Sequence, residues 1–330
     1  MSLANLKKLK NIANDILVEK EQEFISTGVG TLNILFGGGI DKGIPVGKVS
    51  MIAADSSLGK SIISLKIAKN AQKKNKNVIL FDTEKAYSPD TAKSIGIDPE
   101  KIIVIQNTSL ESVMSHFMSI MKEIEDKKDE YIFIIDSWNV LVSSKTVDDV
   151  SVGKDVVDMT TSKKKNSFSK LLLNSDVTVF VVNQIYSSMD AYSLDSIPGG
   201  KGIYFASSSI VQATSKAKDK SSDGEIQGAI ITAQTRKGRY SKEHSKLKYL
   251  IKYDGGLNPY YGLLDIALET GLVTKPSVGW YQKANDDKKY REKDIYSKEF
   301  FNDIIQNQEF KDYVSKNYSF KHNDFIDDEI

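Results

Sequence analysis

Three stretches of this chain are apolar from end to end and then close on polar residues: NVILFDTE at 77–84, YIFIIDSWNVL at 131–141 and VTVFVVNQIY at 177–186. A strand with one wet face alternates polar and apolar residues, so a run without alternation is covered on both faces. Helical patterns separate the runs: ESVMSHFMSIMKEIEDKK at 111–128 and a lysine-containing stretch around 161–173. Buried strands joined through helices imply a parallel sheet sandwiched between helical layers, an α/β fold. An earlier apolar strand, within KVSMIAADSSLGKSIISLKIAKNAQ at 48–72, leads through a polar turn into a further helix.

The remainder hangs on this frame. Residues 3–20 carry leucines and isoleucines at helical spacing with lysines between them, one amphipathic helix. A linker, VEKEQEFISTGVGTLN, leads to the glycine-rich FGGGIDKG. The segment SSMDAYSLDSIPGGKG at 187–202 has no apolar period, and such a long stretch inside a compact domain is usually functional. Beyond it, IQGAIITAQTRKGR and KLKYLIKYDGG read as antiparallel strands and YGLLDIALETGLV as a helix, and there is no internal repeat. At 330 residues the natural division is one core domain with flanking extensions. Absence of cysteine removes disulfides and thiolate chemistry, and three histidines leave little for a zinc site. No apolar run is long enough to span a bilayer and the N-terminus lacks a signal-peptide core, so a cytoplasmic protein is expected. The net charge of +1 hides a pattern: residues 201–253 hold eleven Lys/Arg against four Asp/Glu, and residues 276–330 nine against twelve, ending in HNDFIDDEI. A basic middle with an acidic tail suits nucleic-acid contact, and two ordinary solvated surfaces explain it equally well.

The chemistry concentrates where strands end. Gly59-Lys60-Ser61 closes a phosphate-loop pattern that lacks only its first glycine, replaced by Ala54. In that reading Ala54, Asp55, Ser56, Ser57, Leu58, Gly59, Lys60, Ser61 and Ile62 form the nucleotide cradle. Backbone N–H groups and the helix N-terminus hold the anion, Lys60 reaches the outer phosphates, and the Ser61 hydroxyl ligates Mg²⁺. Asp136 ends its strand at the same sheet edge, where a carboxylate can hold an Mg²⁺-bound water. Glu84 can polarise an attacking water, and Gln184 leads straight into the 187–202 segment. Each feature alone could be a strand cap; their convergence on one edge points to an NTP hydrolase. An alanine is tolerated at the first position wherever φ is negative, because only a positive φ calls for glycine.

The ordered set STGVGTLN, ADSSLGKS, FDTE, FIIDS, VNQI, GGKG and DGGLNPYYGLLDIALETGLVTKPSVGWY resembles the RecA-type recombinases, and most of all the UvsX recombinases of T-even and related phages, over roughly residues 24–285. The resemblance implies a RecA-like P-loop ATPase core with a mostly parallel central sheet at 24–275. An N-terminal oligomerising helix would occupy 1–23, and a small C-terminal region with a short acidic tail 276–330. It implies an ATP- and Mg²⁺-dependent enzyme that polymerises as a helical filament on single-stranded DNA. That filament pairs double-stranded DNA with it and exchanges strands in recombination and repair. It casts Lys60 and Ser61 as phosphate and Mg²⁺ residues, Asp136 as the Walker B aspartate, Glu84 as the catalytic glutamate and Gln184 as the γ-phosphate sensor. Lys237 and Arg239 align with a basic pair that reaches a neighbouring subunit's ATP. DNA-binding loop 1 would lie near 145–162 and loop 2 at 186–202, with Gly199, Gly200 and Gly202 giving loop 2 room to move. Lys163, Lys164, Lys165 and Lys201 would contact the DNA backbone, and Tyr186 and Tyr192 could stack on bases. The family's adenine-stacking tyrosine falls on Thr91, with Tyr87 nearby. A recombination mediator and a single-strand-binding protein are implied partners, and the cytoplasm of a phage-infected bacterium the implied setting. Two other readings stay open: a hexameric helicase motor, and an accessory protein that binds ATP and DNA with little turnover.

Overall fold

The structure, a computed structural model, describes residues 21–151, 159–185, 200–221 and 223–320. The helix expected over residues 3–20, Tyr186, Tyr192, Gly199 and the acidic tail from 321 onward lie outside the described residues. In chain order the first elements are β1 (Phe24–Ile25), α1 (Gly30–Gly37), β2 (Ile44–Pro45), β3 (Val49–Ala54), α2 (Lys60–Lys73), β4 (Asn77–Asp82), α3 (Pro89–Ile95) and β5 (Ile102–Ile105). Then come α4 (Leu110–Glu123), β6 (Tyr131–Asp136), α5 (Ser144–Ser151), α6 (Met159–Leu173), β7 (Thr178–Gln184) and α7 (Lys201–Ala206). Long strands follow, β8 (Ser209–Lys220), β9 (Ile226–Gly238) and β10 (Lys246–Lys252), with the short β11 (Gly256–Leu257). A C-terminal unit comprises α8 (Leu264–Glu269), β12 (Val273–Ser277), β13 (Trp280–Lys283), β14 (Lys289–Arg291), α9 (Glu292–Ile295), α10 (Lys298–Gln306) and α11 (Gln308–Tyr318).

The central sheet has nine strands in the order β11-β10-β9-β8-β3-β7-β6-β4-β5. Strands β3 to β8 run parallel, and β9, β10 and β11 add to one side antiparallel. The double burial expected of the apolar runs is what the strands show. Ile52, Leu80, Ile134 and Phe180 point to a core shared with Ile63, Ile67 and Ala71 of α2. Their neighbours Met51, Phe81, Phe133 and Val181 point to the opposite core, built with Phe117 of α4 and Phe168 and Leu172 of α6. The two-residue period of the strand thus feeds two cores at once, and each fully buried Ile, Val or Phe contributes roughly 1.5–3 kcal/mol to holding the sheet between its helices.

Several boundaries differ from the sequence reading. The run 131–141 leaves the sheet at Asp136, after which Trp138 and Leu141 stay buried in the turn that follows. Strands β5 and β8 were not anticipated. The stretch 111–128 is α-helical to Glu123 and then passes into a 3-10 helix over Glu125–Glu130, and YGLLDIALETGLV divides into the six-residue α8 and the start of β12. Within the stretch 145–162, expected as a loop, residues up to Ser151 belong to α5 and those from Met159 onward to α6. The C-terminal unit has its own apolar cluster, in which Phe300, Phe301 and Phe310 meet Ile34 of α1 and Leu263, so it is fastened to the core. Among the described residues no helix is long and apolar enough to cross a membrane.

Candidate active site

Ala54 is the last residue of β3, fully buried, and its carbonyl accepts from the Ile185 N–H at 3.1 Å. Its backbone is therefore extended strand, and the first glycine of the pattern is dispensable here. The left-handed turns fall later, at Ser57 (φ +61°) and Gly59 (φ +78°), the residue that opens α2. Tyr249 of β10, fully buried, donates its hydroxyl to the Leu58 carbonyl at 2.9 Å and ties the loop to the antiparallel side of the sheet. Lys60 donates to the Asp55 carbonyl at 2.7 Å, and burial holds its pKa below the ordinary lysine value against the pull of Glu84, Asp136 and Asp55.

The three strand ends converge as expected. Ala54 is in register with Gln184, and Asp136 with Asp82. Asp82 is occupied in fixing the turn, accepting from the Ala86 and Tyr87 N–H groups and from Gln106. That leaves Glu84 free to face the cleft, and one of its oxygens accepts from Ser137 Oγ and from Gln184 Nε2, both at 2.6 Å. The glutamate and the glutamine singled out from sequence are in direct contact. Asp136 is nearly enclosed, and burial raises its carboxyl to about 6, with Glu84 and Asp82 adding repulsion and hydrogen bonds from Ser61 and Ser64 opposing the rise. A buried carboxylate and a hydroxyl are hard oxygen donors, and magnesium takes one or two such protein ligands, with phosphate and water oxygens supplying the rest. Ser61 and Asp136 therefore fit that ion.

Ser57, Lys60, Ser61, Glu84, Asp136 and Gln184 line a single cleft of about 370 Å³. A second concavity of about 660 Å³ adjoins it, sharing Ile62 and Tyr253, with Thr91 and the 254–256 turn on its walls. Those walls offer a base its apolar and stacking surfaces. Tyr253, 68 % exposed, is the one aromatic side chain among the described residues that lines both cavities, and it was not singled out from sequence. Tyr87 is set against the core below the loop, where burial raises its pKa, so it is no stacking residue for this cavity.

Lys237 and Arg239 lie elsewhere. Lys237 is in register with Ile210, which pairs with Met51, and the Arg239 N–H donates to Ser208, whose own N–H donates to Val49. Arg239 is thus level with the start of β3, about 16 Å along the strands from Ala54 and about 10 Å across them. The pair sits toward the opposite edge of the sheet from the chain's own phosphate loop. Lys237 Nζ donates to the Tyr204 and Phe205 carbonyls at 3.0 Å, closing the C-terminal turn of α7.

The residues expected to face DNA are only partly brought together. Lys163 is exposed on α6, and Lys201 is exposed as the first residue of α7. Lys164 is engaged in an ion pair with Glu111, which also accepts from the Ser144 N–H and is held down to about 2 despite its burial. Lys165 turns inward, 7 % exposed, donating to the Asn139 carbonyl with its pKa lowered to about 8 by burial. The three-lysine set therefore does not present one basic face. Gly200 has φ +95° and starts α7, but Gly202 lies within that helix, where a Cβ would meet Asn166 Oδ1 at 2.5 Å. Gly202 serves close helix packing rather than loop freedom.

Residues 10–258 match the family described as the RecA N-terminal domain, and residues 260–314 the C-terminal domain of the bacteriophage T4 recombination and repair protein. The chain is 28% identical over 315 residues to the recombination and repair protein of Enterobacteria phage T4, covering 90% of this chain and 79% of that protein. It is 28% identical over 272 residues to protein RecA of Nocardioides (80% and 74%), and 26% identical over 271 residues to protein RecA of Aquifex aeolicus (80% and 75%). Members of this family are DNA-dependent ATPases that bind nucleotide and DNA and assemble as filaments. With its phosphate loop, strand-end carboxylates and C-terminal unit in these places, the chain belongs to the RecA family of recombination and repair recombinases.

Proposed function

We propose that this chain binds ATP with Mg²⁺ in the phosphate-loop cleft, hydrolyses it on single-stranded DNA, and drives homologous pairing and strand exchange as a helical filament. The contact between Glu84 and Gln184 carries the reading, because it joins a candidate catalytic carboxylate to the strand that leads into loop 2. Lys60 and the loop N–H groups hold the phosphates, and Ser61 and Asp136 hold Mg²⁺, which when bound neutralises charge on the outer phosphates. Glu84, fixed by Ser137, orients a water and accepts its proton. Gln184 senses the outer phosphate and transmits its presence to loop 2. Because Lys237 and Arg239 sit too far from their own loop to reach it, they act on the nucleotide of an adjacent subunit, in the manner of arginine fingers. The 1–23 segment serves oligomerisation, and residues 276–330 belong to the C-terminal region with its short acidic tail. Lys163, Lys201 and the loop 2 residues Tyr186, Tyr192, Gly199 and Gly200 contact DNA. A mediator and a single-strand-binding protein assist, in the cytoplasm of a phage-infected bacterium.

The test is ATP hydrolysis with and without single-stranded DNA, together with a strand-exchange assay. Wild type should be stimulated by DNA and should exchange strands, and Lys60→Ala should lose about 10²-fold or more of its hydrolysis. Hydrolysis indifferent to DNA, with no exchange, overturns the proposal.

A further inference from the structure

The base-side cavity, about 660 Å³, is larger than a purine and ribose require. Past Ile62 it continues along α2, where Lys66, Lys69 and Lys73 form its wall, with Asn70 between them and Ser94 facing across from α3. Lys66 Nζ donates to the Leu257 carbonyl at 2.8 Å, and Lys69 Nζ to the Ile95 carbonyl at 2.5 Å. Each is thereby held at the wall by one bond, with further N–H donors unspent. Among the described residues none of the three forms an ion pair with a carboxylate, and Asp254 is the single acidic side chain lining the cavity. Burial holds Lys66 below the ordinary lysine value, and the charges of Lys69 and Lys73 push it further down. Like charges three and four residues apart oppose a helix, and a concave wall solvates them less well than an open face. Lysines gathered in a cavity without carboxylate partners are complementary to an anion.

We propose that the lysine-walled end of this cavity is a second anion site, which takes a phosphate group carried by a small molecule. The group has two chemical sources: a free inorganic anion such as pyrophosphate, or a second phosphate on the ribose of a nucleotide whose other phosphates lie in the loop. Only the second source rests on the nucleotide reading of the cleft.

The experiment is titration calorimetry on the full chain. In one arm pyrophosphate is added after the loop has been saturated with a non-hydrolysable ATP analogue and Mg²⁺. In the other arm adenosine 3′,5′-bisphosphate is compared with AMP. Both arms are run on wild type, Lys69→Gln/Lys73→Gln and the charge-preserving Lys69→Arg/Lys73→Arg, with affinity for the ATP analogue as the check on folding. Wild type should bind pyrophosphate beside the analogue, or prefer the bisphosphate to AMP. The glutamine pair should weaken that binding about tenfold or more, and the arginine pair should retain it. A response in the first arm identifies a free anion, and a response confined to the second a ribose phosphate. Equal binding by wild type and the glutamine pair in both arms overturns the proposal, as does wild-type binding weaker than about 1 mM in both. Lysine-dependent pyrophosphate binding in a protein that takes no ATP analogue would sink the nucleotide reading and leave the anion site standing.

Discussion

One methyl group at Gly59 tests how the phosphate loop keeps its shape. Gly59 has φ +78° and opens α2, a conformation that costs an L side chain about 1–2 kcal/mol. A Cβ there would also fall inside the contact shell of Ile251 Cδ1, from the β10 strand that closes over the loop. Ile251 is 8 % exposed and packed in the core, so pushing its terminal methyl aside is overpacking that adds about 1–3 kcal/mol. Gly59→Ala should therefore cost about 2–5 kcal/mol, the sum of the two terms. The terms separate in a double-mutant cycle. Ile251→Val alone should cost about 0.5–1.5 kcal/mol, but it deletes the atom in the way. Gly59→Ala/Ile251→Val should then be more stable than the sum of the single changes by about 1–3 kcal/mol, with the backbone term remaining. Urea unfolding of the four proteins without nucleotide, with m checked for constancy, measures the cycle. ATP affinity should follow the same order, because a displaced loop no longer aims its N–H groups at one point. Strict additivity, or a Gly59→Ala cost below about 0.5 kcal/mol, refutes the account.

Ala54→Gly should change ATP turnover only by a small factor and cost about 0.5–1 kcal/mol in a chemical melt, since position 54 is extended strand; recovery of turnover from nothing to full would contradict this. Asp136 must be ionised to hold a cation, and its carboxyl stands at about 6, so Mg²⁺-dependent nucleotide affinity should fall as pH drops through about 6 and be about tenfold weaker one unit below. For stability the sign is reversed: the folded value exceeds the unfolded one, so this group's destabilisation of the nucleotide-free protein is relieved as pH falls from 6 toward 4. Lys165 stands lowered to about 8, so the folded chain should gain stability as pH rises through 8 toward the free lysine value. In Lys165→Met that slope should shrink by up to about 1.4 kcal/mol per pH unit in thermal melts at stepped pH. DNA affinity should be untouched by the change, and a loss matching that of Lys163→Ala would show Lys165 to be outward.

The parallel centre was legible because burial on both faces leaves only apolar residues in the middle of each strand, VILF at 78–81, IFII at 132–135 and VFVV at 179–182. What escaped were strands without that signature. β5, at the sheet edge, is four residues long with Ile103 exposed. β8 turns polar along SKAKDK and is interrupted by three register shifts against β9. The cleft residues Lys60, Glu84, Asp136 and Gln184 were readable because loop and strand ends fix them to one edge whatever the side-chain packing. Tyr249 and Tyr253 were not, since they arrive from antiparallel β10 and the turn after it, far along the chain, and no local pattern says that β10 folds back over the loop. The split of Lys163, Lys164 and Lys165 was foreseeable: consecutive helical residues point about 100° apart, so three in a row cannot share a face.

The placement of Lys237 and Arg239 near the far edge of the sheet has an arithmetic consequence. On the proposed arrangement each subunit carries the socket of one reaction centre and the plug of another, so a line of n subunits completes n − 1 centres. A lone subunit completes none, a pair completes one, and only long assemblies approach one centre per chain. Turnover per subunit then reports length, rising steeply among short oligomers and flattening as they grow. A chain that keeps its plug but has lost its own socket silences one centre wherever it enters the line, except at the end whose socket is already unfilled, without shortening it. Hydrolysis becomes a census of neighbours, taken by the same sheet that holds the nucleotide.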